Sequence, residues 1–207
     1  MSKLNARTRL RCSRCVRPIS HCLCAHIPAI PNRTRVLILQ HPDEAKHPLN
    51  TARLAVLGLQ DADLLVAEHF PQLDGLLASA GPVFLLFPKS HNGDPETACD
   101  CPPEMVSDRE PEKGALLIVP DGTWRKARKI IYMNPILNTL PRFSLPQGEP
   151  SEYKVRKARE WAAVSTIEAV VRALSIIEPE QDFQPLLKPF RVMVQQQIQA
   201  MDAAARG

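Results

Sequence analysis

The chain has 207 residues, of which 44% are apolar and 23% are charged, and this composition is typical of a globular protein with one substantial core. No apolar run reaches the roughly 18 to 20 residues that span a bilayer, and the first 35 residues lack the apolar core of a signal peptide. We therefore expect a cytoplasmic protein that does not associate with membranes.

The formal net charge of +4 is unevenly distributed along the chain. Residues 1–35 carry eight Lys/Arg and no acidic residue, residues 36–113 carry thirteen acidic against five basic residues, and residues 114–172 carry ten basic against five acidic residues. Two basic blocks therefore flank an acidic one. Such blocks are either solvated surface or binding sites for a phosphate backbone, so nucleic acid is the main functional alternative.

Four of the six cysteines lie close together in the stretch CSRCVRPISHCLC, with the spacing C-x2-C-x6-C-x-C. A four-cysteine set that begins with C-x2-C is typical of a closed, structural zinc site, and a reducing cytosol disfavours disulfides. The second pair departs from C-x2-C, and His21 or His26 could replace one thiolate. We predict a small basic module over residues 1–33 that binds Zn²⁺ through Cys12, Cys15, Cys22 and Cys24.

Arginines surround this predicted metal site, which makes the module a candidate clamp for nucleic acid. They are Arg11, Arg14 and Arg17. The two remaining cysteines, Cys99 and Cys101, lie in a stretch rich in proline and acidic residues (89–113), with no second cysteine pair nearby. We interpret them as incidental thiols and expect this stretch to be an exposed loop.

After Pro31, apolar runs typical of strands alternate with helical patterns. The predicted strands are 35–40, 63–70, 83–88, 115–120 and a short one at 153–157. The predicted helices are 50–60, 72–80, 123–133, 165–177 and 186–204. Continuous apolar strands separated by helices predict an α/β domain over residues 34–207, with a mostly parallel sheet that helices cover on both faces.

Ligands of such sheets bind beyond the carboxyl ends of the strands, so the residues that follow each strand are candidate site residues. Three strand ends could line one crevice, namely 41–44, 88–89 and 121–124. The chain contains neither G-x-G-x-x-G nor G-x-x-x-x-G-K-[ST], which excludes the common dinucleotide-binding motif and the P-loop.

Five motifs resemble one known family. The stretch PDGTWRKARK contains the D-x-T-W motif of the DTW-domain proteins, and RCSRCVRPISHCLC, LILQHPDEAKHPLNTARL, LLFP and STIEA occur around it in that family's order. The resemblance covers residues 11–173. DTW-domain proteins are tRNA-uridine aminocarboxypropyltransferases, similar to SPOUT-type RNA-modifying enzymes, and the bacterial members act at position 47 of tRNA.

The resemblance implies both a reaction and a fold. The reaction transfers the 3-amino-3-carboxypropyl group of S-adenosylmethionine to N3 of a tRNA uridine, which gives acp3U and releases methylthioadenosine. The fold is a SPOUT-like domain with a C-terminal trefoil knot at the cofactor site, and we expect a monomer. Two alternatives stay open, namely a SPOUT-like RNA methyltransferase and a zinc-containing RNA-binding protein without enzymatic activity.

Uracil N3 becomes a nucleophile only when its proton is removed, and a carboxylate at the crevice could remove it. We expect Asp121 to be this base; the structural alternative is that Asp121 or Thr123 caps the helix that follows. Trp124 is expected to stack on a base, or else to anchor that helix in the core. Thr123 is expected to position the loop.

The family resemblance also implies residues that bind the cofactor and the RNA. The expected cofactor site comprises Pro88, Pro120, Asp121, Gly122, Ser165, Thr166 and Glu168. The expected RNA-binding residues, besides the three arginines of the module, are His41, Glu44, Arg125, Lys126, Arg128 and Lys129. Purely structural alternatives exist for many of these residues: Ser165 and Glu168 match a capping box, His41 could be a solvated loop residue, and the four basic residues could form a solvated helix face.

Overall fold

A five-stranded, fully parallel sheet forms the centre of the fold in this computed structural model, which describes residues 10–88, 114–146, 151–152 and 164–205. Its strand order is β2-β1-β4-β3-β5. The strands are β1 (Arg35–Gln40), β2 (Ala62–Val66), β3 (Val83–Leu86), β4 (Leu116–Asp121) and β5 (Arg142–Phe143). The sheet therefore confirms the predicted parallel α/β architecture.

Four of the five strands were predicted from their apolar runs, with differences at their ends. The strand predicted over 63–70 ends at Val66, because β1, which pairs with it, ends at Gln40. The two-residue strand β5 was not predicted, since so short a run gives no periodic signal. The strand predicted at 153–157 and the loop predicted at 89–113 lie outside the described residues.

The helices agree with the predicted ones to within a few residues, apart from one additional short helix after β1. They are α1 (Pro42–Ala45), α2 (Ala52–Gly58), α3 (Leu73–Ser79), α4 (Trp124–Met133), α5 (Thr166–Ile177) and α6 (Lys188–Ala205). Helix α1 was not predicted because its four residues are too few for a helical repeat. No helix within these described residues is both long enough and apolar enough to cross a membrane.

Helices cover both faces of the sheet, as predicted. Side chains alternate between the faces along each strand, so Val36 and Ile38 pack into one core while Leu37 and Leu39 pack into another. The first core contains α2, α5 and α6, and the second contains α3 and α4. Residues at the carboxyl ends of the strands therefore lie between two helical layers.

The cysteine-rich N-terminal segment packs against the same fold. Leu23 is fully buried and joins the core that contains α2, α5 and α6. The Arg17 guanidinium donates to the carbonyl of Pro48 at 2.8 Å, and Arg14 donates to the carbonyl of Leu57 at 3.4 Å. The predicted division into units 1–33 and 34–207 stays a prediction, but the two parts share a core.

The connections that follow β1 and β4 leave the carboxyl edge of the sheet toward opposite faces, and we call this place the switch point. These strands are neighbours in the sheet, yet β1 leads to α2 on one face and β4 leads to α4 on the other. Connections that leave neighbouring strands toward opposite faces form a crevice, and this is the place where ligands of open parallel sheets bind. The register places Gln40 directly opposite Asp121 at this point.

Candidate active site and metal cluster

Asp121 ends β4 at this crevice, and its side chain is held from two sides. It is 7% exposed, and its Oδ2 accepts a hydrogen bond of 2.7 Å from the side-chain amide of Gln40. Its Oδ1 accepts a hydrogen bond from the hydroxyl of Thr166, the first residue of α5. The structure therefore brings together two of the predicted residues, Asp121 and Thr166, which are 45 positions apart in the chain.

Thr123, rather than Asp121, caps helix α4. The Thr123 hydroxyl accepts from the backbone N–H of Lys126 at 3.4 Å. The capping alternative therefore holds for Thr123, and Asp121 does not cap α4. The carboxylate of Asp121 instead faces β1 and α5, on the other side of the strand end.

Two residues of this network, Gln40 and Asn50, were not expected to belong to the site. Gln40 is fully buried, and its amide group both donates to and accepts from the Asn50 side chain, at 3.2 and 3.1 Å. Asn50 in turn accepts from the backbone N–H of Arg53 at 3.1 Å and so ties the network to α2. Because every amide atom of Gln40 has a partner, the Gln40 side chain is fixed against Asp121.

The strand-to-helix turn after Asp121 requires glycine. Gly122 has a φ of +157°, and a Cβ atom built at this position would lie 2.8 Å from Cβ of Lys126. Any larger residue would push α4 away from the end of β4. Gly122 therefore lets α4 start close to the carboxylate of Asp121. Pro120, the preceding predicted residue, is half-buried within β4.

Ser165 and Glu168 form the capping box at the start of α5 that their spacing predicted. The buried Glu168 carboxylate accepts from the backbone N–H and the hydroxyl of Ser165, at 2.8 and 2.6 Å. It also accepts from the Ser151 hydroxyl and the Glu152 backbone N–H, at 2.7 and 2.8 Å. Glu168 therefore holds the segment that contains Ser151 against α5, which fixes the helix end that carries Thr166.

Trp124, at the first position of α4, is partly exposed instead of being a core anchor. Its side chain is 43% exposed, and its ring meets Phe87 edge-to-face with a centroid distance of 5.5 Å. Arg142 lies over the other aromatic ring of the pair, 5.6 Å from the Phe87 centroid, and burial lowers its pKa. Pro88, which follows Phe87, is exposed at the end of the strand.

A network of charged residues occupies the α4 side of the crevice. His41 is 5% exposed, so it is not the solvated loop residue of the structural alternative. Its Nδ1 accepts from the Asp43 backbone N–H, and its Nε2 lies 2.8 Å from the Glu68 carboxylate. Lys129 lies 2.7 Å from the same carboxylate, and this contact lowers the pKa of Glu68.

Lys126 is also paired with acidic residues. Its ammonium lies 2.9 Å from Glu44 and 3.5 Å from Asp43, and the hydrogen bond to Glu44 raises the pKa of Lys126. Lys126 and Asp43, together with His41, Glu68 and Lys129, border an open depression of about 410 Å³ at the strand ends. The depression is lined by His41, Asp43, Glu68, Arg125, Lys126 and Lys129.

The four N-terminal cysteines converge into a cluster that could hold a metal ion. Their sulfur atoms all lie within 4.8 Å of one another, with Cys12 to Cys24 at 3.5 Å and Cys15 to Cys22 at 3.8 Å. Four thiolates at about 2.3 Å from one tetrahedral zinc ion would be about 3.8 Å apart, so the cluster fits such an ion. The backbone N–H groups of Cys15 and Arg14 lower the pKa of Cys12 to about 6, whereas burial and the neighbouring thiols raise the pKa of Cys24 to about 12, so without a metal ion Cys12 ionises first and Cys24 stays a thiol.

The three arginines around the cysteine cluster, which were predicted to bind nucleic acid, also make hydrogen bonds within the chain. Each of the three guanidinium groups donates to a backbone carbonyl of the chain. Two of these bonds, from Arg14 and Arg17, join the cysteine-rich segment to the segments around α2. His21, one possible substitute ligand, contacts the Ser20 hydroxyl at 2.9 Å instead. The bonds from Arg14 and Arg17 therefore hold the cysteine-rich segment on the fold, and contact of these arginines with nucleic acid stays a prediction.

These features define an α/β protein with a parallel sheet, a buried carboxylate at its switch point and an attached four-cysteine cluster. The chain belongs to the DTW domain family, whose model matches residues 9–198. This match confirms the family that the five sequence motifs indicated. No solved structure matches the chain significantly.

Curated proteins similar to this chain carry one activity in their names. The chain is 30% identical over 204 residues to tRNA-uridine aminocarboxypropyltransferase 2 of Macaca fascicularis, covering 94% of this chain and 65% of that protein. It is 32% identical to tRNA-uridine aminocarboxypropyltransferase A of Arabidopsis thaliana, over 82% of this chain and 73% of the relative. The chain is 28% identical to tRNA-uridine aminocarboxypropyltransferase 2 of Drosophila melanogaster, over 92% of this chain and 76% of the relative.

We expect Gln40→Leu to impair turnover through the orientation of Asp121. The substitution leaves the Asp121 Oδ2 and the Asn50 side chain without the amide partner they now have, which should lower the free energy of unfolding by about 1–3 kcal/mol. In an assay of the activity named in these relatives, we expect kcat to fall about tenfold or more at an unchanged KM. Steady-state kinetics and thermal unfolding would measure both effects, with Gln60→Leu at an exposed position as the control. Wild-type kcat in Gln40→Leu would mean that Asp121 needs no support from β1.

Proposed function

We propose that this protein is a tRNA-uridine aminocarboxypropyltransferase that uses S-adenosylmethionine and modifies N3 of a tRNA uridine, with position 47 as the expected site and acp3U as the product. The observation that carries the proposal is the buried Asp121 carboxylate, held by Gln40 and Thr166 at the switch point of a DTW-family sheet. The names of the relatives support the same reaction.

The residues at the crevice suit a ligand that carries an amino acid group. Helix α5 begins at the crevice, and the positive end of its dipole favours a carboxylate beside the Ser165–Glu168 capping box. Ser165, Thr166 and Gly122 would border this group, and Pro88 and Pro120 would form apolar edges. S-adenosylmethionine, when bound there, would supply an electrophilic carbon in its aminocarboxypropyl chain.

Asp121 would take the proton from uracil N3 while this carbon is attacked. Its two hydrogen bonds fix both carboxylate oxygens, so the base is already oriented when the uridine arrives. General-base catalysis of this kind contributes about 10² to 10⁴ in rate. Thr123 would keep the turn in place, and the exposed ring of Trp124 would stack on the substrate base.

Three further parts of the proposal concern the protein as a whole. We propose that the cysteine cluster binds Zn²⁺, because a closed set of four thiolates leaves no open position and serves structure. We also propose a SPOUT-like arrangement with a C-terminal trefoil knot, and a monomer that works in the cytoplasm. The sheet order and the position of α5 beside Asp121 are compatible with such an arrangement.

The direct test is mass spectrometry of nucleosides from unmodified tRNA incubated with the protein and S-adenosylmethionine. The proposed reaction gives a uridine heavier by one aminocarboxypropyl group, together with methylthioadenosine. A methylated nucleoside with S-adenosylhomocysteine would instead show that the methyl carbon faces the base, as in the methyltransferase alternative. If tRNA binds but no product forms with any cofactor concentration, the RNA-binding alternative is correct.

A further inference from the structure

The four basic residues of α4 fall into two groups that differ in their partners. Lys126 and Lys129 are engaged in ion pairs with the acidic residues around β1 and β2. Arg125 and Arg128 are exposed, and among the described residues neither has an ion pair or hydrogen bond. The helix therefore carries two cations that serve the fold and two that do not.

The second group lies on one stripe of the helix. With about 3.6 residues per turn, Arg125, Arg128 and Tyr132 point within an arc of about 60°. Ile130 and Ile131, by contrast, are buried in the core beneath α4. Tyr132 is 80% exposed, although an aromatic ring gains most from burial. We refer to Arg125, Arg128 and Tyr132 as the α4 stripe.

The stability of the isolated helix gives no reason for this pattern. The first turn of α4 contains no acidic residue and begins with Trp-Arg-Lys, whereas the positive end of a helix dipole favours acidic residues. Arg125 and Arg128 are also like charges three positions apart, which destabilises a helix by a few tenths of a kcal/mol. An anion on the α4 stripe would offset both costs.

We propose that the α4 stripe is the surface on which the RNA backbone docks, with Arg125 and Arg128 on successive phosphates and Tyr132 against an unpaired base. This inference rests on the proposed function only in taking RNA as the substrate. Helix α4 starts three residues after Asp121, so an RNA strand on the stripe would run directly into the crevice. Lys126 and Lys129, which were expected to share this role, are paired with Glu44, Asp43 and Glu68 at the crevice.

The test measures binding of unmodified tRNA, without S-adenosylmethionine, at several salt concentrations. Each phosphate contact contributes about 0.7 to 0.9 to the slope of log K against log salt concentration. We expect Arg125→Gln and Arg128→Gln each to reduce the slope by nearly one, and the double variant by nearly two. Tyr132→Ala should weaken binding about tenfold and leave the slope unchanged.

Two variants with the same loss of charge are the controls. Lys126→Gln removes a paired charge from the same helix, and Lys188→Gln removes an exposed charge from α6, on the other face of the sheet. Both should change the slope by much less than Arg125→Gln does. A slope change as large in Lys126→Gln as in Arg125→Gln would mean that only the overall charge of the helix matters, and the proposal would be wrong.

The outcome separates this proposal from the proposed function. A slope reduced in the two arginine variants, in a protein that forms no aminocarboxypropyl product, would support the docking surface and refute the enzyme. An active wild-type enzyme whose double variant Arg125→Gln/Arg128→Gln binds tRNA with the wild-type slope would support the enzyme and refute the docking surface.

Discussion

Asp121→Asn should reduce kcat by about 10² to 10⁴ while the protein stays folded and binds tRNA normally. Asparagine has nearly the same shape as aspartate, so its carbonyl oxygen can keep the bond from Gln40. Its NH₂ group then faces Thr166, whose hydroxyl can rotate and accept instead of donating. The substitution therefore removes the ability to take a proton while keeping the contacts with Gln40 and Thr166.

The measurement is single-turnover formation of the modified nucleoside, with tRNA binding and thermal unfolding followed in parallel. Asp61→Asn is a suitable control, because Asp61 is an exposed carboxylate 3.7 Å from Arg35, near the start of β1 and so away from the crevice. Such exposed pairs contribute little to stability, so we expect wild-type turnover in this control. Wild-type turnover in Asp121→Asn itself would exclude Asp121 as the base.

The parts of the fold that the sequence predicts well are those with strong local patterns. Strand β1 contains five successive buried residues after Arg35, and such a run has few interpretations other than a central parallel strand. The capping box of Ser165 and the turn at Gly122 are likewise encoded within a few residues. The cysteine cluster was predictable for the same reason, because its four ligands lie within 13 positions, from Cys12 to Cys24.

The support of Asp121 could not be predicted in this way. Gln40 is 81 positions from Asp121, and the two meet only because β1 and β4 pair in register. In the sequence, Gln40 is simply the polar residue that ends an apolar run. The burial of His41 and its contact with Glu68 depend on the same pairing of distant strands. Signals of this kind require the strand order, which a single sequence does not contain.

The basic residues illustrate a second limit of sequence patterns. Charge blocks indicated a phosphate-binding surface but could not separate cations that bind RNA from cations that bind the protein itself. Arg17 and Lys126 look as available in the sequence as Arg125 does. In the structure the first donates to the carbonyl of Pro48 and the second pairs with Glu44. Only the partners of each side chain, and not the charge, show which cations are already paired within the protein.

Cys12→Ser should abolish stoichiometric metal binding and lower the thermal stability of the whole protein. Structural zinc sites contribute about 10–16 kcal/mol to the folding of isolated zinc-finger peptides. The effect here should be smaller, because the module also packs into the main core through Leu23 and is joined to it by Arg17. We expect a loss of about 3 kcal/mol or more, which corresponds to a fall of roughly 6–12 °C in Tm for a protein of this size.

Elemental analysis of the purified variant and its thermal unfolding would measure the two effects. Cys99→Ser, a change at a thiol outside the cluster, should keep one zinc ion per chain and the wild-type Tm. A chelator should lower the Tm of the wild-type protein to that of Cys12→Ser but leave the variant unchanged, since the variant has no ion to lose.

Because Arg17 links the module to Pro48, two residues before Asn50, loss of the ion should also loosen the network that holds Asp121. Turnover should then fall further than the change in Tm alone would explain, and full turnover in the metal-free variant would show that the module is independent of the crevice.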